Sequence, residues 1–156
     1  MNAPINLLDL VRELGQRPRG RACAVLTTDV AAQKAWAAEL ARQSGSDHLD
    51  LLDLLATDSA LAAKIDGLSP ASLFEFLASR GSAAKVLVAS GLEVILATWR
   101  ADSAAPKQFA GRLELWEKKP ALLFVLQRDS TLQKHVFTRY PQYRFVMDQS
   151  DTVALT

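Results

Sequence analysis

Four short, nearly all-apolar runs, at 22–27, 48–52, 85–89 and 121–126, constrain this chain more than any other feature. A strand with one wet face alternates apolar and polar side chains. A strand covered on both faces need not, and such strands belong to parallel sheets held between layers of helices. Helical patterns fill the intervals, so the order alternates strand and helix. That order predicts an α/β three-layer sandwich with a mostly parallel sheet, in one domain over 1–156.

The helices are read from apolar spacing and end signals. Residues 6–14 place Leu7, Val11 and Leu14 on one face, with Gly15 as the expected stop. A helix over 30–43 carries Ala32, Trp36 and Leu40 four residues apart. Short helical pieces follow through Ile65. Ser69 as N-cap and Pro70 at the first position open a further helix, with Leu73, Phe74 and Leu77 inward and Gly81 closing it. The apolar stretch 92–99 fits either type. Residues 107–119 read as an amphipathic helix with Phe109, Leu113 and Trp116 inward and lysines near its C-terminal end, where the dipole favours them. A short helix at 131–138 and short strands at 143–147 and 152–155 complete the pattern.

Composition removes several classes of function. A net charge of +1 gives no global electrostatic argument for nucleic acid or membrane binding. The N-terminus lacks the basic-then-apolar pattern of a signal peptide, and no apolar run approaches the ~20 residues of a membrane span. The single cysteine, Cys23, lies inside the first apolar run and reads as a buried thiol, consistent with a reducing cytoplasm.

The first strand and the helix after it hold the most specific chemical signal. Laid on G-x-x-x-x-G-K-[S/T], Thr28-Asp29-Val30-Ala31-Ala32-Gln33-Lys34-Ala35 has the spacing of a phosphate-binding loop but only its lysine. Thr28 and Gln33 carry Cβ atoms where glycine would allow positive φ. Asp29 sets a negative charge beside the phosphate seat, and Ala35 offers a metal no hydroxyl. After the third strand, Leu87-Val88-Ala89-Ser90-Gly91-Leu92-Glu93 has the outline of a Walker B segment. Ser90 stands at the carboxylate position and brings no charge to a hard cation.

In the order and spacing of these features the chain resembles the BrxF family, small P-loop proteins of the BREX anti-phage defence systems. That family has an N-terminal helix, a Walker A strand–loop–helix, an LLDN-x-E-like Walker B strand and an H-P-E-Y-like segment near the C-terminus. Here Ser90 and Gly91 replace the aspartate and asparagine, Glu93 is kept, and Tyr140-Pro141-Gln142-Tyr143 matches the last segment at Pro141 and Tyr143. The resemblance implies a P-loop NTPase-like domain with degenerate Walker motifs. Taken with the Walker residues missing from this sequence, it implies a non-catalytic subunit that works through contacts with other defence proteins or with itself, without a cofactor. One alternative is an unorthodox ATP–magnesium enzyme using Lys34 and Glu93.

The remaining candidates are local. The turn bearing Arg17, Arg19 and Arg21 is a basic patch able to meet phosphate, RNA or an acidic partner, and a small nucleic-acid-binding module is the third reading. Trp36, Trp99 and Trp116 read as core or interface anchors, with Trp99-Arg100 as the candidate exposed hot spot. Glu93, Asp102 and Asp129 follow strands at the side where open α/β sheets carry sites. Arg128 stands where finger-like arginines occur in ring NTPases, but the segment reads first as a strand end with Asp129 or Ser130 capping the next helix. Ser90 lacks the flanking glycines of a nucleophile elbow, since Val88 and Leu92 occupy those places. His48 and His135 have no metal-ligand spacing and read as surface or strand-end residues.

Overall fold

A computed structural model of the protein describes residues 4–64, 68–80, 83–99 and 104–153, with the backbone alone at Val30. The apolar runs form a five-stranded sheet: β1 (Ala22–Thr27), β2 (Asp47–Asp50), β3 (Val86–Ser90), β4 (Ala121–Gln127) and β5 (Val146–Asp148). Its order is β2-β3-β4-β1-β5, and every pairing is parallel. β4 is central, and β1 lies between it and β5, running from Ala22 opposite Leu122 to Thr27 opposite Gln127, with Ala24–Leu26 also facing β5.

Burial on both faces explains why β1, β3 and β4 are apolar up to a polar residue at each carboxyl end, Thr27, Ser90 and Gln127. Ala22, Ala24 and Leu26 of β1 and Leu122, Phe124 and Leu126 of β4 face one core. Cys23, Val25, Leu123 and Val125 face the other. Helices α1 (Leu7–Gln16) and α2 (Val30–Ser44) cover the second face. Helices α3 (Leu51–Thr57), α5 (Pro70–Ser79), α6 (Glu93–Trp99), α7 (Ala105–Leu115) and α8 (Ser130–Lys134) cover the first, and α4 (Ser59–Ala63) follows α3 with no buried residue. This is the three-layer sandwich expected from sequence. The first core is aromatic: Phe74, Trp99, Phe109, Trp116 and Phe124 meet with ring centroids 5.0 to 5.8 Å apart. The second is aliphatic.

Several boundaries move for physical reasons. Gly15 does not stop α1, which runs to Gln16; a Cβ on Gly15 would lie 3.2 Å from Val86, so its glycine serves a close approach to β3. β2 ends at Asp50, whose carboxylate accepts from the Asp53 amide and starts α3. The stretch 92–99 is helical. α7 ends at Leu115, so Trp116 is its C-cap, Arg112 is its last-turn cation, and Lys118 and Lys119 lie beyond it. α8 is five residues long, β5 is three, and Tyr143 lies in a turn before it. Thr152 forms an isolated parallel bridge with Ile5; residues 154–155 of the expected last strand, the end of the helical piece at Ile65, and Gly81 lie outside the described residues.

Two readings of exposed side chains are corrected. The arginine turn is not an open patch: Arg17 is 2% exposed and Arg21 8%, leaving Arg19 alone in solvent. Arg17 pairs with Glu13 at 2.6 Å, donates to the carbonyls of Gly20 and Arg144, and lies over the Tyr143 ring at 4.3 Å. Arg21 donates to the carbonyls of Arg17, Gly15 and Lys118. Carbonyls left without strand partners at the amino end of the sheet draw these guanidinium groups inward. Trp99 is likewise buried, its indole N–H held by the Leu68 carbonyl at 2.8 Å, so it is a core anchor; Arg100 and Asp102 lie outside the described residues.

Candidate functional site

The carboxyl ends of the strands bring together most of the polar residues singled out in the sequence. β1 stops at Thr27 and α2 starts at Val30, so Thr28 and Asp29 are the whole connection. Asp29 is the N-cap, its carboxylate accepting from the Ala32 amide at 3.2 Å. The peptides of 30–33, which a phosphate-binding loop keeps as an open cradle, are wound into the helix here. No non-glycine residue among those described has positive φ. A carboxylate thus occupies the helix start that would otherwise attract an anion.

The other positions of this segment are also committed. Gln33 is buried, and its amide donates to the Thr27 hydroxyl at 3.0 Å, which in turn donates to the Leu126 carbonyl. Ala35 is exposed. Lys34 lies on the exposed side of α2 and forms an ion pair with Asp53 of α3. That hydrogen bond, with the Asp50 charge nearby, raises the Lys34 pKa above its ordinary value.

The end of β3 continues the same network. Ser90 is fully buried and donates its hydroxyl to the Asp50 carboxylate at 2.8 Å. The same oxygen lies 2.8 Å from His48 Nε2. A serine has one proton, already given to an acceptor-only carboxylate, so His48 must donate from Nε2. Burial lowers the His48 pKa, partly offset by Asp50. Gly91 follows with φ of 70°, and a Cβ there would fall 2.5 Å from the Asp50 carboxylate. His48–Ser90–Asp50 is not a nucleophilic triad: the serine is the middle member and has no route to solvent. It is a polar lock between β2 and β3, reaching Lys34 through the α3 N-terminus.

At the end of β4, Asp129 caps α8 by accepting from the Leu132 amide at 3.1 Å. Arg128 donates Nε to Asp148 of β5 at 3.0 Å. Two cavities flank Arg128. The smaller, about 120 Å³, is lined by Glu93, Leu96, Trp99, Phe109, Asp129 and Leu132 among others. The larger, about 470 Å³, is lined by Leu26, Thr28, Trp36, Gln149, Ser150 and Thr152 as well as Arg128. Glu93 therefore belongs to the first cavity, while Lys34 lines neither.

Sequence reasoning placed Lys34, Ser90 and Arg128 on this edge but missed His48, Asp50 and Asp53. The signal for the last two was present: Asp50-Leu51-Leu52-Asp53 has the spacing of an N-cap with an acid three residues on. His135 lies against Phe137 with ring centroids 4.6 Å apart and the planes tilted by 60°, away from this network. Cys23 is buried, which pushes its thiol up to about 12 and leaves it inert at neutral pH. Among the described residues, no helix is long and apolar enough to cross a membrane, and no three metal-ligating side chains could together hold an ion.

The sheet order and the two covered faces define an open, all-parallel α/β sandwich with a polar carboxyl edge. No protein family, curated protein or solved structure matches the chain.

Proposed function

We propose that this chain is a non-catalytic, P-loop-like subunit of a bacterial phage-defence system of the BREX type, acting through protein contacts. The observation that carries the loss of chemistry is internal satisfaction. Asp29 fills the helix start, Asp53 holds Lys34, and Ser90 is spent on His48 and Asp50. The sheet order supports the P-loop relationship. It places one strand, β4, between the strand bearing the Walker A-like turn and the strand bearing the Walker B-like turn, as in ring-forming P-loop NTPases. The defence assignment rests on the resemblance to the BrxF family. Nucleotide sites in ring and clamp NTPases lie at subunit interfaces, so a fold without its nucleotide retains a surface suited to assembly.

Calorimetric titration with ATP–magnesium, alongside Lys34→Ala, tests the first half. The expected result is no saturable heat from well-folded protein. ATP binding that disappears in Lys34→Ala would move the assignment to the alternative enzyme. Co-expression with the products of adjacent genes, followed by a plaque assay with the gene deleted, tests the second half. Unchanged plating of every phage that the system restricts would end the defence reading.

A further inference from the structure

The cleft beside Arg128 differs from the rest of the carboxyl edge in what its polar groups are doing. At the ends of β2 and β3 the side chains of His48, Asp50 and Ser90 are tied to one another, and Gln33 is tied to Thr27. Around the larger cavity the polar groups are not so engaged. Arg128 uses Nε on Asp148, and its two terminal nitrogens have no partner among the described residues. The Thr28 and Ser150 hydroxyls and the Gln149 amide have no side-chain hydrogen bond there either. Trp36 is half-buried at the wall with its indole N–H unpartnered, whereas the indole N–H groups of Trp99 and Trp116 are bonded to the carbonyls of Leu68 and Pro120. The cleft therefore offers a flat apolar face, a guanidinium fork and several free donors, with Asp148 already engaged. It lies outside the carboxyl ends of β1 and β5, where α2 leaves β1 across one face of the sheet and α8 leaves β4 across the other.

We propose that this cleft binds a small anion carrying a planar ring. The ring lies against Trp36, the anionic group is taken by the free nitrogens of Arg128, and hydroxyl donors from Thr28 and Ser150 complete the contact. An aromatic carboxylate and a nucleoside monophosphate share this chemistry. The site uses neither Lys34 nor a metal ion, so it stands apart from the Walker-like segment and does not depend on the defence assignment.

The test titrates the intact chain, in EDTA, with adenosine monophosphate, benzoate and ribose 5-phosphate, following tryptophan fluorescence and heat. At least one anion with a planar ring is expected to bind saturably and quench Trp36, and ribose 5-phosphate to bind at least about tenfold more weakly for want of a planar aromatic ring. Saturation by the monophosphate alone or by benzoate alone identifies the source of the ligand. Arg128→Gln is expected to weaken binding about tenfold or more, and Lys34→Ala to leave it unchanged. Because Arg128 also holds Asp148, Ser150→Trp provides a second test, filling the cleft from an exposed position; its unfolding midpoint should match the parent while binding is lost. No saturable signal from either anion with a planar ring at millimolar concentration would overturn the proposal. So would equal affinity in Arg128→Gln, retained affinity in Ser150→Trp, or binding that requires magnesium and Lys34.

Discussion

Two arginines at opposite ends of the same sheet show how differently one side chain can be used. Arg17, at the amino end, is buried under Tyr143 and Phe145 and has an acceptor for each of its three guanidinium nitrogens. Arg128, at the carboxyl end, is half-exposed and has one acceptor. The strand ends explain the contrast. At the amino end the carbonyls of Arg17 and Gly20 point inward, and the guanidinium groups of Arg21 and Arg17 reach them. At the carboxyl end Asp29, Asp50 and Asp129 already satisfy the helix starts, so Arg128 is left with capacity to spare. A basic residue in sequence is thus a binding candidate only to the extent that the fold does not consume it.

Removing each group should give effects that fall along this scale. Arg17→Ala leaves two carbonyls and Glu13 without their partner and opens a gap under Tyr143. A loss of about 3 kcal/mol is expected, read from the denaturant midpoint. A loss no larger than that of Arg128→Ala would break the contrast. Next comes Gly91→Ala, which combines a left-handed φ with a Cβ pressed on the Asp50 carboxylate; about 2 kcal/mol should be lost by the same measurement. Wild-type stability in this variant would mean that Asp50 can move freely, and the polar lock would not be one.

The lock also titrates. In the fold His48 prefers to be neutral, so its pKa falls below the ordinary 6.5. Above that pH both folded and unfolded chains carry a neutral ring and stability is flat in this term. As pH falls below about 6.5 the unfolded chain takes up its proton first, and stability declines until the folded pKa is passed. His48→Gln should flatten that part of the profile in thermal unfolding between pH 7 and 5. Smallest of all, Lys34→Ala removes one exposed ion pair, and the denaturant midpoint should hardly move. A larger loss would show that the lysine holds α2 to α3 rather than merely resting on Asp53.

The layers of the fold were legible because burial on both faces leaves unbroken apolar runs where a half-wet strand would alternate. β1 and β4 stand where their apolar runs begin, and Ser69-Pro70 opens α5 as its chemistry requires. Boundaries failed where a tertiary contact outweighed a local signal. Gly15 is glycine because β3, far along the chain, passes close by, and α7 ends before Lys118 and Lys119, where Trp116 turns its indole to the Pro120 carbonyl. At the site, the lysine and the serine were visible as types, but their partners were not. Whether Lys34 meets a phosphate or Asp53 depends on how α3 is set against α2, which no spacing within either helix records. Arg17 and Arg21 misled for the same reason: charge is written in the sequence, and the acceptors that bury it are not.

The bridge between Ile5 and Thr152 bears on how the molecule responds to being pulled. Ile5 donates to the Asp151 carbonyl and accepts from the Val153 amide, both at 2.8 Å, and the two segments run parallel. Tension applied through the two ends of the chain would draw these segments past each other along their length. Both hydrogen bonds would then be loaded together in shear rather than opened one after the other, so a stretch of only a few residues acts as a mechanical clasp ahead of the sheet.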